Sequence, residues 1–255
     1  MASTSLKTFL GIALVLFAVT AVLTMTGYYV YESSNRSNEV QSYAAILIDT
    51  TDPLTVQEQQ SILNKFGDFV ANAGANTQME IFVVDATSTN LLRPLVMGKS
   101  LVDVKRLPKG LALANPQMQK TIWTNTFFKP LEGHLRQAMV ATNSTNSPIM
   151  ESIQSVALTL FDPDPDRSKP RKLAIVSDLM QNTPGLSFYQ SVPTLSQLQQ
   201  SKVFKSHQID LRGVQVELWP LRTKVDVSLL DPLCRLWTEI INEQGGTVVA
   251  TNPVP

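Results

Sequence analysis

Between Ser42 and Asn252, short unbroken apolar runs alternate with stretches whose apolar positions recur every three or four residues. The runs at 44–49, 79–85, 172–177, 214–221 and 247–251 predict buried strands. The periodic stretches predict amphipathic helices. One spans 53–73, with Val56, Leu63, Phe66 and Val70 on a single face. A second spans 117–140, interrupted by Pro130 and Gly133. A third opens at Ser147 and Pro148 and turns Ile149, Ile153, Val156, Ala157 and Leu160 inward. A fourth spans 229–244, with Leu233, Leu236, Trp237, Ile240 and Ile241 buried. A short helix is expected around 196–204, and residues 91–96 and 100–104 read as strand material flanking Gly98. Asp52 is expected as an N-cap with Pro53 at the first helical position. Gly74 and the pair Gly245-Gly246 are expected to stop helices. Strands alternating with helices predict an α/β fold, a doubly wound, mostly parallel sheet with helices on both faces.

The first thirty residues follow a different pattern. No charged residue occurs from Thr8 to Tyr31, and a helix of about 20 apolar residues spans a bilayer core. Tyr28, Tyr29 and Tyr31 cluster at the far end, where interfacial aromatics sit. A cleaved signal peptide would have a shorter apolar region and a small-residue cleavage site, so an uncleaved anchor is expected. Lys7 precedes the span, and Glu32, Arg36 and Glu39 follow it. The positive-inside rule then places the N-terminus in the cytoplasm and the domain outside, the periplasm in a bacterium. The expected organisation is a tail and transmembrane anchor at 1–31, a polar linker at 32–41, a globular domain at 42–252 and a tail at 253–255. The prolines of that tail keep it out of a central strand.

Composition narrows the chemistry. The 21 basic and 21 acidic residues balance, and without a basic stripe no nucleic-acid partner is expected. Cys234 is the only cysteine, so an intramolecular disulfide and a CxxC metal knuckle are both excluded. It lies in an amphipathic helix and is expected to pack as a small apolar group. His134 and His207 stand alone in polar surroundings. Trp123, Phe127 and Phe128 are expected to pack in the core. The run Asp162, Asp164, Asp166 lacks the glycine and distal glutamate of a calcium loop and is read as a rigid solvated loop.

The chemistry concentrates in Ile48-Asp49-Thr50-Thr51-Asp52-Pro53. There an apolar strand ends abruptly in carboxylates and hydroxyls, and in open α/β sheets ligands bind at such strand ends. Each residue also has a plain structural reading. Asp49 can accept hydrogen bonds from the amides of the following helix start. Thr51 can be a turn hydroxyl, Ser147 a helix cap, and Asp178 a loop acid.

The order of elements and three of these loops resemble the von Willebrand factor A family over residues 42–251. Asp49 matches the Asp of that family's Asp-x-Ser-x-Ser motif and Thr51 its first hydroxyl. Ser147 resembles the hydroxyl residue of the second loop, and Asp178, in Val176-Ser177-Asp178, resembles the acid of the third. Pro53 stands where the motif's last Ser belongs and has no side-chain oxygen; Asp52 is a substitute donor. The resemblance implies a degenerate metal-ion-dependent adhesion site for Mg²⁺ built from Asp49, Thr51, Ser147 and Asp178, with Asp52 in addition.

It also implies a protein-binding role: a membrane-anchored adaptor or assembly component of a membrane complex whose partners are other proteins. No catalytic residue is expected. A Mg²⁺-dependent phosphohydrolase is the first alternative, but the second acid falls three residues after Asp49 rather than two. There is also no Gly-x-Ser-x-Gly elbow and no phosphate-cradling loop. A periplasmic ligand-binding domain is the second alternative and has no motif of its own.

Overall fold

The computed structural model describes residues 20–22, 24–26, 40–74, 76–84, 96–100, 116–140 and 144–255. The chain divides into two compact units, Met1–Glu39 and Val40–Pro255. In the first, the described residues are helical. Thr24 Oγ1 donates to the carbonyl oxygens of Thr20 (2.9 Å) and Ala21 (3.0 Å), and Thr26 Oγ1 donates to that of Val22. The expected membrane anchor lies mostly outside the described residues, among which no helix is long and apolar enough to cross a membrane. The expected linker lies outside them too, apart from Val40 and Gln41. Val40 packs against the core of the second unit, and Gln41 N–H donates to Asn76 O (3.0 Å).

The second unit is built on a six-stranded sheet. In chain order its elements are β1 (Ser42–Ile48), α1 (Val56–Ala71), β2 (Thr77–Val83), β3 (Val96–Ser100), α2 (Pro116–Trp123), α3 (Lys129–Ala138), α4 (Ile149–Val156), β4 (Arg171–Ser177), β5 (Asn182–Thr183), β6 (Leu186–Ser187), α5 (Leu195–Gln200), α6 (Lys202–Ser206), β7 (Val214–Pro220), α7 (Val227–Glu243) and β8 (Thr247–Thr251). The strand order is β3-β2-β1-β4-β7-β8, with β5 and β6 forming a separate hairpin. Every pairing in the large sheet is parallel except β2 with β3. The doubly wound, mostly parallel sheet predicted by the pattern is therefore what forms. Strand β3 runs straight through Gly98, which the sequence placed between two strand pieces; the remainder of those pieces lies outside the described residues.

Strand β1 is buried at all seven positions because helices cover both faces of the sheet. On one face Tyr43, Ala45 and Leu47 meet Ile149, Ile153 and Val156 of α4 and Leu233, Leu236, Trp237 and Ile240 of α7. On the other, Ala44, Ile46 and Ile48 meet Ile62, Phe66 and Val70 of α1 and Leu131 and Leu135 of α3. Cys234 packs at the margin of the first cluster. Phe128 stacks between Phe66 (5.7 Å) and Trp123 (5.6 Å), a core role for these rings. Burial of a large apolar side chain contributes about 1.5–3 kcal/mol, so this two-sided contact holds the strands in layer.

Two helix boundaries differ from expectation. Helix α1 starts at Val56, not Pro53. Thr55 is its N-cap: Thr55 Oγ1 accepts from Glu58 N–H (3.2 Å) and Glu58 Oε2 accepts from Thr55 N–H (2.7 Å). This reciprocal capping box satisfies two donors at once, which Asp52-Pro53 cannot do, and Asp52 is left exposed in the loop. Between α2 and α3 the helix widens into a π turn at Thr124–Phe128. Pro130 lacks an N–H and its ring crowds the carbonyl four residues back; the wider turn instead pairs Lys129 N–H with Thr124 O. The helix therefore continues to Ala138 where the sequence suggested an interruption. Gly245 (φ 85°) ends α7 in the left-handed region, as glycine permits. The tail is part of the fold: Val254 is fully buried and bridges Leu221 beside the edge strand.

At the amino-terminal side of the sheet, the loop 162–166 is wound around a buried cation. Arg171 is fully buried. Its Nη2 donates to the carbonyl oxygens of Asp164 (2.9 Å), Asp166 (3.0 Å) and Phe161 (3.4 Å), and its Nη1 to that of Lys169 (3.1 Å). Replacing it with methionine withdraws those donors and leaves the Asp166 carbonyl only a long bond from Lys169 N–H (3.4 Å). Arg171→Met is expected to lower the unfolding free energy by about 3 kcal/mol, read by urea denaturation.

Candidate functional site

The parallel register brings the carboxyl ends of β1 and β4 side by side. Ile48 pairs with Val176, and Asp49 N–H donates to Val176 O (2.8 Å). From β1 the chain winds outward to β2 on one side, while β4 lies on the other, so this is where the strand order reverses. Open α/β sheets have their ligand crevice at that point.

Asp49 is 4% exposed and fully engaged. Its Oδ1 accepts from Thr51 N–H (3.0 Å) and Thr51 Oγ1 (2.8 Å). Its Oδ2 accepts from Ser147 Oγ (2.7 Å) and Ser177 Oγ (3.0 Å). A buried carboxylate is tolerated only when its acceptor sites are met, and here three hydroxyls and one amide meet them. The plain reading of Asp49, bonding to helix-start amides, accounts for none of the four, because Thr51 lies in the loop ahead of the Thr55 cap.

Ser147 is not the helix cap that its Ser-Pro context suggested. Pro148 occupies the cap position of α4 and makes no side-chain cap bond. The orphan amide of Met150 is met instead by Gln181 Oε1 (2.9 Å). Ser147 is gripped through its backbone: its N–H donates to Asn182 O (2.8 Å) and its carbonyl accepts from Asn182 N–H (2.9 Å). That bridge turns its hydroxyl toward Asp49.

Asp178 is 7% exposed. Its Oδ1 accepts from Met180 N–H (2.8 Å) and from Ser177 Oγ (3.3 Å). No other described group bonds the carboxylate. Burial first, and then the neighbouring charge of Asp49, push its pKa up to about 7; the exposed Asp52 adds to the rise. The next residue, Leu179, is fully buried with φ 65°, a conformation costing a non-glycine residue about 1–2 kcal/mol. It is held by Ser177 Oγ accepting its N–H (2.9 Å) and by Trp237 Nε1 donating to its carbonyl (2.9 Å).

Two participants escaped the sequence reading. Ser177 links both acids through one hydroxyl; its place as the last residue of β4, next to Asp178, was the available signal. Tyr189 lies within electrostatic reach of the pit. Its phenol is raised to about 12 by partial burial and then by Asp178, Asp52 and Asp49. Nothing in its local sequence singles it out.

The structure thus brings Asp49, Thr51 and Ser147 into direct contact and ties Asp178 to them through Ser177, with Asp52 at the rim. Thr51 and Ser147 give their protons to Asp49, which leaves their oxygen lone pairs available to a hard cation. Among the described residues no group of three His, Cys, Asp or Glu side chains is arranged as a metal cluster. Pro53 offers no side-chain oxygen, and its carbonyl is taken by Lys224 Nζ (2.6 Å). The donor set fits an oxygen-seeking ion that keeps several waters, as Mg²⁺ does.

No family model matches the chain, and no curated protein matches it in sequence. Among solved structures it is similar to an aerotolerance-related membrane protein from Bacteroides fragilis NCTC 9343 with multiple mutations to serines. That likeness has 12% identity over 84% of this chain and 92% of the other, with a TM-score of 0.45. What the fold and the site define by themselves is a doubly wound α/β domain with a hydroxyl-lined acidic pit at its switch point.

Asp178 takes up a proton more readily when folded, with a pKa near 7 against an ordinary value of 3.8. The folded state therefore binds more protons than the unfolded one between those values, and stability falls as pH rises through that window. Asp178→Asn is expected to raise the melting temperature at pH 8 in metal-free buffer. The gain should fade as pH falls toward 4, a trend followed by differential scanning fluorimetry.

Proposed function

We propose that this chain is a von Willebrand factor A-like interaction module, anchored in a membrane through its N-terminal apolar segment and serving as an adaptor or assembly component of a membrane-associated complex. The observation that carries this reading is the convergence on Asp49 of hydroxyls from two loops and from the end of β4, beside Asp178, at the carboxyl ends of β1 and β4. The domain is assigned to the extracytoplasmic side by the charge order around the apolar segment.

The pit is proposed as a degenerate metal-ion-dependent adhesion site. Thr51, Ser147 and Asp178 would hold Mg²⁺, with Asp52 substituting for the oxygen that Pro53 lacks. The ion, when bound, would supply an open coordination position for an acidic side chain of a partner protein. Asp49 then acts as an organiser: it orients the hydroxyls and fixes where their lone pairs point. The same saturation argues against a hydrolytic role, because neither oxygen of Asp49 is free to attack a phosphoryl group.

Added Mg²⁺ or Mn²⁺ at about ten times the dissociation constant is expected to raise the melting temperature by roughly 2–4 °C, reversed by EDTA. Asp178→Ala should abolish the shift. In mild detergent the chain is expected to co-purify with a stoichiometric protein partner, and Asp49→Ala should weaken that association. A lone monomer that turns over a phosphoester with Mg²⁺ would sink the adaptor reading.

A further inference from the structure

A carboxylate arriving at the pit brings two oxygens, each able to accept hydrogen bonds. The ion's open position takes one of them. The other must meet a donor, or it loses its hydration without compensation. The donors that line the pit are already committed. Thr51 Oγ1, Ser147 Oγ and Ser177 Oγ donate to Asp49, as does Thr51 N–H. Met180 N–H donates to Asp178 Oδ1 (2.8 Å), and Lys224 Nζ to Pro53 O (2.6 Å). Thr50 is fully buried, out of reach of a group coming from solvent.

The segment after β4 brings a further hydroxyl to the rim. Strands β5 and β6 pair Asn182 with Ser187 and Thr183 with Leu186, and Pro184-Gly185 makes the turn between them. This hairpin is pinned at both ends. Asn182 exchanges backbone bonds with Ser147 (2.8 and 2.9 Å). At the turn, a Cβ on Gly185 would come within 2.6 Å of Val203 Cγ2, so the turn lies close against α6. Phe188 N–H then donates to Gln181 O (2.9 Å), which returns the chain to the turn that presents Asp178. Phe188 is buried beside Trp237, the indole that bonds Leu179 O. With Phe188 anchored inward, the next residue, Tyr189, is left 59% exposed. Partial burial, and then the charges of Asp178, Asp52 and Asp49, raise its phenol to about 12. Tyr189 therefore keeps its proton at neutral pH and acts as a donor, where a phenolate would repel an incoming anion.

We propose, resting on the adhesion-site reading of the pit, that Tyr189 is a specificity-determining residue whose O–H donates to the second oxygen of a partner protein's acidic side chain. The carboxylate is then held at two points, through one oxygen at the ion and through the other at the phenol. A ligand with a single oxygen, such as an alcohol, cannot use both. The exposed ring also covers the short methylene stem of an aspartate or glutamate, as aromatic side chains do at interfaces. Selection for an acidic side chain thus comes from the hairpin between β4 and α5 as well as from the ion.

The test uses the full chain in detergent, loaded with Mn²⁺, and N-acetyl-glutamate-N-methylamide as the carboxylate probe. Mn²⁺ affinity is read by electron paramagnetic resonance, and probe binding by the relaxation that the bound ion imparts to the probe's protons. Saturable enhancement is expected in the wild type. Tyr189→Phe keeps the ring at an exposed position and removes only the donor. It should weaken the probe about tenfold, the scale of a hydrogen bond to a charged group, with Mn²⁺ affinity and melting temperature unchanged. Equal probe affinity in the two proteins would overturn the role of Tyr189 and leave the metal-site reading standing. A matching loss of Mn²⁺ affinity in Tyr189→Phe would also overturn it, because the phenol would then be serving the ion. Mn²⁺ binding without any probe enhancement at tens of millimolar overturns it as well, and failure of the wild type to bind Mn²⁺ overturns both readings together.

Discussion

The buried carboxylate of Asp49 is the constraint on which the carboxyl-terminal side of this domain depends. A charge taken out of water must be met by hydrogen bonds or the fold loses several kcal/mol. The chain meets it with Thr51 from its own loop, Ser147 from the loop before α4 and Ser177 from the end of β4. Three segments distant in sequence are thereby fixed around one point. Ser144 N–H donating to Thr51 O (3.1 Å) adds a backbone tie between two of them. The pit is consequently organised before any ligand arrives, and its hydroxyl protons are already assigned.

Asp178 is positioned by a different device. Its carboxylate accepts the amide of Met180 across a turn that forces Leu179 into a left-handed conformation. The strain is held by Ser177 on one side and by the Trp237 indole of α7 on the other. Trp237 in turn packs against Phe188 (6.2 Å). Gln181, at the end of the same turn, caps the start of α4 and donates to Glu151 Oε2 (2.9 Å). The turn that presents the second acid is thus bolted to both helices of one layer. At the other layer, Glu58 caps α1 while accepting from Thr223 Oγ1; those bonds hold its carboxyl below the ordinary value despite its burial. The loop before α7 is fastened to the start of α1 in this way.

Much of the architecture was legible because hydrophobic period reports burial directly. The continuous run through Ile48 could only be a strand covered on both sides, and the 3.6-residue stripe of Leu233, Leu236, Trp237 and Ile240 could only be a helix face. The misread boundaries share one cause. Asp52-Pro53 and Ser147-Pro148 both carry the local signature of a helix start, but local signatures do not reveal which polar group a side chain will find across the fold. Thr55-x-x-Glu58 was equally visible and wins because it satisfies two donors where Asp52 would satisfy one. Ser147 is drawn away from capping because Asp49 needs its proton and Gln181 can do its work.

The sequence by itself determined the alternation of strands and helices, the placement of oxygen-bearing residues at strand ends, and the absence of a hydroxyl at Pro53. These are properties of neighbouring residues, set by periodicity and by side-chain chemistry. Only the tertiary structure decided that Ser147 and Ser177 serve Asp49 and that Trp237 holds the turn beside Asp178. Each of those outcomes depends on residues between 58 and 128 positions apart meeting in space, and on which of several competing hydrogen-bond partners the packed sheet brings within reach.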